Sequence, residues 1–94
     1  MLMLAAAMLA APPAATPAPS RTQLATAITA MTSKKVAANN LRTIACKPIA
    51  EEPTEFSCRW QQRVSARARW RGYSAMMAKD GSGWTLIDVP GVAR

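Results

Sequence analysis

Cys46-Lys47-Pro48-Ile49-Ala50-Glu51-Glu52-Pro53-Thr54-Glu55-Phe56-Ser57-Cys58-Arg59-Trp60 is the stretch on which the fold turns. Two cysteines stand almost symmetrically about the turn-forming segment Glu51-Glu52-Pro53-Thr54. The residues that follow alternate: Phe56, Cys58, Trp60 and Val64 fall on one face, Ser57, Arg59, Gln61 and Arg63 on the other. Setting Cys46 opposite Cys58 puts Pro48 across from Phe56 and Ile44 across from Trp60. This register collects the large apolar side chains of the hairpin on one face, whereas a slip by one residue would scatter them. Cysteine pairing and hydrophobic alternation thus lead independently to one β-hairpin closed by a Cys46–Cys58 disulfide, with a first strand at 41–49 and a second at 55–64.

Outward from the hairpin, the C-terminal third also reads as antiparallel β. A connection at 65–68 leads to a third strand at about 69–79, with a bulge expected near Gly72-Tyr73, where glycine relaxes the backbone. Asp80-Gly81-Ser82-Gly83 is a hairpin turn. A last strand follows at 84–89 and ends at Pro90-Gly91. On the N-terminal side, Ser20-Arg21-Thr22-Gln23 fits a capping box. Leu24, Ala27, Ile28 and Met31 then recur at helical spacing, predicting an amphipathic helix from Ser20 to about Ala38 with Lys34 and Lys35 in its last turns. The fold class is α+β: one N-terminal helix packed on the apolar face of a four-stranded antiparallel meander. In outline this resembles the helix-plus-curved-sheet arrangement of cystatin-like folds; the likeness concerns architecture alone and implies no function.

Ahead of the domain, residues 1–11 are uninterrupted apolar sequence and residues 12–19 a Pro/Ala-rich linker, leaving residues 20–94 as a single small domain. The leader is too short to span a bilayer, which takes about 20 apolar residues. It has the length of the apolar part of a secretory signal, although no Lys or Arg precedes it; the alternative is an uncleaved surface anchor. A periplasmic or secreted location follows as the expectation, and a disulfide belongs there. Closing a loop of about 13 residues stabilises by roughly 3 kcal/mol in the chain-entropy model, a useful increment for so small a core.

Histidine is absent from the sequence. Ser-His-Asp and Cys-His nucleophilic sites are therefore excluded, as are histidine general bases, and two cysteines alone cannot complete a tetrahedral zinc site. Glu51, Glu52 and Glu55 cluster at a hairpin tip, where carboxylates are solvated rather than lodged in a cleft. The expectation is a domain without catalysis, metal or cofactor.

The net charge of +7 arises from 12 basic and 5 acidic residues, and the leader carries none of it. Arg59, Arg63, Arg67, Arg69 and Arg71 fall within 13 residues. The alternation of the second strand directs Arg59 and Arg63 away from the core. With Arg69 and Arg71 on one face of the next strand and Lys47 nearby, the expectation is a basic stripe on the open face of the sheet, joined by Gln61 and Tyr73. A planar guanidinium donates two parallel hydrogen bonds to phosphate or carboxylate, so these five arginines are the candidate anion-binding residues. The partners implied are a lipid surface, an anionic envelope polymer or nucleic acid. The competing readings are a solvated face that resists aggregation, or the compositional bias evident in 20 alanines and eight arginines. A protein partner engaged by the hairpin tips is the other functional expectation. Trp60 and Trp84 are expected in the core and Trp70, flanked by arginines, less deeply so; of Met76 and Met77, one faces in and one out.

Overall fold

The computed structural model describes residues 17–92; the apolar leader at 1–11 and the linker residues 12–16 lie outside them. Ser20 caps helix α1 (Arg21–Thr32) through a reciprocal pair, the Gln23 N–H donating to Ser20 Oγ at 3.1 Å and the Ser20 N–H to Gln23 Oε1 at 2.8 Å. Pro19, at the position preceding the cap, is buried, so the domain's packing begins inside the segment read as linker. The helix stops at Thr32, short of the expected Ala38. Ser33 turns left-handed (φ 60°) and gives its N–H to the Thr29 carbonyl. Thr29 and Thr32 each donate a hydroxyl to the carbonyl four residues earlier, and accept the amides of Val36 and Lys34 respectively. Such side chains offer the backbone partners outside the helical ladder. Lys34 and Lys35 therefore lie in the loop beyond the helix, not in its last turn. A short 3₁₀ turn, Ala38–Asn40, delivers the chain to the sheet.

The sheet is an antiparallel meander of β1 (Leu41–Ile49), β2 (Glu52–Gln62), β3 (Arg71–Asp80) and β4 (Gly83–Leu86). A fifth strand, β5 (Gly91–Val92), also pairs with β3, so Pro90-Gly91 does not end the sheet as expected. Between β4 and β5 the edge bows out. The Met76 N–H is met there by the Asp88 carboxylate at 2.9 Å, and the Ile87 N–H returns to the Met76 carbonyl at 2.8 Å.

The central register is the expected one: Cys46 lies opposite Cys58 and Pro48 opposite Phe56, with a Cys46–Cys58 disulfide and Cα atoms 4.0 Å apart. That spacing belongs to the closely approaching pairs of an antiparallel ladder. The turn itself is tighter than expected. Ala50-Glu51 makes it, Ile49 pairs with Glu52, and Pro53–Glu55 form an irregular start to β2, a place where proline costs no ladder bond. Second, β2 runs over Glu52–Gln62 and leaves Val64 outside, 88% exposed rather than on the core face.

The bulge also sits elsewhere. Strands β2 and β3 pair without interruption from Glu55–Ala78 to Gln62–Arg71, so none occurs at Gly72-Tyr73. It lies in β1, where Thr43 and Ile44 together face the single Trp60 and Thr43 takes φ 55°. The extra residue inverts the alternation of β1. Leu41, paired with Gln62, turns into the core, and Arg42, paired with Gln61, turns out. With an unbroken alternation Arg42 would share the core face with Ile44, Cys46 and Pro48. The bulge thus spares the domain a buried cation.

The core joins Leu24, Ala27 and Ile28 of α1 to Leu41, Phe56, Cys58, Trp60, Ala75, Met77 and Leu86 of the sheet, and no polar or charged residue is buried among the described residues. Trp60 lies fully inside, its indole N–H donating to Gln62 Oε1 at 3.0 Å and its ring stacked on Tyr73. Trp84 is only half-buried, edge-on to Phe56. Met77 faces in and Met76 out, as expected.

Candidate anion-binding end of the sheet

The arginines do not form one stripe. Directly opposed residues share a face, so the pairings Trp60–Tyr73 and Gln62–Arg71 place Arg71 and Tyr73 on the helix side, away from Arg59. Arg59 is on the open face with Lys47, which lies diagonally across, and Gln61. Arg67 and Arg69 belong to the irregular connection between β2 and β3, not to a strand, and both are exposed.

Arg63 holds that connection in place. Its backbone N–H donates to the Asn40 carbonyl at 3.1 Å, its Nε to Asn40 Oδ1 at 3.1 Å, and its NH1 to the Ala66 carbonyl at 3.2 Å. Its guanidinium also stacks on Trp70, Cζ 4.4 Å from the ring centroid. Arg42 approaches the same ring to 4.2 Å, oriented by a 2.7 Å bond from its Nε to Gln61 Oε1. Trp70 is therefore a half-buried ring contacted by two cations, contacts stabilised by the ring quadrupole. Arg42 carried no expectation. Its contact with Trp70 depends on the Thr43 bulge, and an unbroken alternation points it the wrong way.

Three of the five candidate arginines still converge. Arg63, Arg69 and Arg71, with Gln62, Val64 and Tyr73, line a cleft of about 330 Å³ on the helix side of the sheet end. Lys34 and Lys35 line an adjoining cleft with Asn40, Gln62 and Arg63. Neither cleft has a carboxylate in its wall. The carboxylates are elsewhere: Glu51, Glu52 and Glu55 flank the β1–β2 turn and Asp80 the β3–β4 turn, both at the far end of the strands. Asp88, the fifth, is engaged with the Met76 amide. Antiparallel pairing so gathers four of the five carboxylates at one end of the sheet, beside Lys47 and Lys79, and Arg63, Arg69 and Arg71 at the other.

Among the described residues no group of three or more metal-ligating side chains occurs, and no helix is long and apolar enough to cross a membrane. The disulfide fits an oxidising environment. Compared with known proteins, the chain matches no family model, no curated protein and no solved structure.

Proposed function

We propose that this is a non-catalytic exported domain, periplasmic or secreted and associated with the cell envelope, that binds anionic ligands through the basic end of its sheet. The observation that carries the reading is the segregation of charge. Arg63, Arg69, Arg71, Lys34 and Lys35 line two adjoining clefts without a carboxylate, while four of the five acidic residues sit at the opposite hairpin tips. Like charges held together repel one another, an arrangement that a bound anion relieves. Within the site the roles divide. Arg63 is already hydrogen-bonded and stacked, and acts as a rigid wall. Arg69 and Arg71, exposed, supply the reach.

Binding of the full chain to polyphosphate as a function of salt tests this. A site that neutralises several anionic charges should lose affinity steeply as salt rises. Substituting Arg69→Ser and Arg71→Ser together should flatten that dependence, whereas Glu51→Gln and Glu52→Gln should leave it unchanged. Polyphosphate binding that ignores the arginine pair would overturn the proposal and direct attention to the acidic hairpin tip as a contact for a protein partner.

A further inference from the structure

The large apolar side chains that remain exposed among the described residues are Val64, Ile87, Val89 and Val92, and three of these four gather at the basic end. Val64 is 88% exposed, Val89 67% and Val92 71%. Val64 and Val89 line one cleft together with Pro90, Tyr73 and Lys34. Val92 is paired with Tyr73 and so lies on the same face. Val64 is also shared with the two basic clefts, whose walls bring in Lys35, Arg63, Arg69 and Arg71. The result is an apolar patch that adjoins a group of cations. Scattered exposed valines need no explanation, but a cluster whose adjoining clefts are lined by cations and by no carboxylate does.

From this we infer that the end of the sheet is a membrane-docking surface, with Val64, Val89 and Val92 entering the headgroup–acyl boundary of an anionic bilayer. The inference rests on the proposed anion-binding reading and names its ligand. Charge decides in favour of lipid. The adjoining clefts are lined by cations, and Lys34, Lys35, Arg69 and Arg71 are exposed on long stems that can lie along hydrocarbon while their heads stay at the phosphates. Val64 lies in the β2–β3 connection and Val89 in the irregular segment at 87–90, both outside regular strand pairing, and Val92 stands in the two-residue strand β5. The acidic hairpin tips at the opposite end would then point away from the like-charged surface.

The test compares the full chain with Val89→Ser/Val92→Ser, two valines that line neither basic cleft, and with Arg69→Ser/Arg71→Ser, on vesicles of phosphatidylcholine with and without phosphatidylglycerol, and on polyphosphate. Backbone amide exchange is read with vesicles present, which localises contact independently of the apolar leader. Partition of the wild type should require phosphatidylglycerol and should slow exchange at Val64 and over 87–92. At about tenfold for each valine removed from the boundary, the valine pair should weaken partition by roughly 100-fold and leave polyphosphate binding unchanged. The arginine pair should weaken both, by roughly 30-fold on vesicles. Undiminished partition of the valine pair, or protection confined to other segments, overturns membrane docking while the anion-binding reading stands. Polyphosphate binding without vesicle binding does the same. Binding to neither overturns both.

Discussion

Reduction of the Cys46–Cys58 bond is the perturbation with the most determinate consequence. The two half-cystines are 12 residues apart in sequence and directly opposed in the ladder. Cutting the link leaves the native pairings of β1 and β2 in place and releases the unfolded chain, which gains loop entropy worth about 3 kcal/mol in the chain-entropy model. With 76 described residues, a typical 0.05–0.15 kcal/mol per residue gives a total stability of about 4–11 kcal/mol, so reduction removes a large share. At about 4–8 °C per kcal/mol for a domain of this size, the midpoint should fall by roughly 12–24 °C. The denaturant slope should rise, because an uncrosslinked unfolded chain exposes more surface. The measurement is a thermal and a urea melt followed by far-UV circular dichroism, with and without a phosphine reductant. Reduction is preferable to substitution, since Cys58 is fully buried and alanine there would add a packing loss. A midpoint within about 2 °C of the oxidised protein would refute the reasoning, for it would mean that the unfolded chain gains nothing from release.

Three further substitutions test how the observed packing departs from a simple alternation. Leu24→Ala, at a fully buried position on the core side of α1, should cost about 2–5 kcal/mol in urea denaturation; Val64→Ala, on the exposed residue beyond β2, should stay within about 0.5 kcal/mol. Thr43→Asn should raise stability by about 0.5–1 kcal/mol, because asparagine tolerates the left-handed conformation that a β-branched residue resists. A loss of stability in Thr43→Asn would mean that the threonine hydroxyl, 3.4 Å from Gln61 Oε1, matters more than the backbone conformation.

The strand β1 forms one border of the sheet, and its edge is guarded by the same features that shape its register. Pro48 cannot donate outward, Lys47 and Arg42 add charge, and the Thr43 bulge bends the edge. These are recognised means of preventing further strand addition.

What the sequence by itself determined is local. Ser20 and Gln23 cap the helix because their spacing allows both bonds at once, Asp80–Gly83 turns because Gly81 accepts φ +61°, and Cys46 opposes Cys58 because that register sets the apolar residues of β1 on the face that Phe56 and Trp60 already share. Where alternation is interrupted, the local rules lose their reference. The two residues at the Thr43 bulge, not the pattern around them, decide that Leu41 is core and Arg42 is not. The parity of β3 relative to β2 is likewise decided by the Gln62–Arg71 pairing across an irregular connection, and that one pairing sends Arg71 to the helix side while Arg59 stays on the open face. The helix end depends on Thr29 and Thr32 finding amides that arrive only when the chain folds back. The disulfide and the core face were legible because they repeat with the period of the strand, whereas the basic end was not: its cations come from the loop after α1, the β2–β3 connection and β3, and only tertiary pairing brings these segments to one end of the sheet.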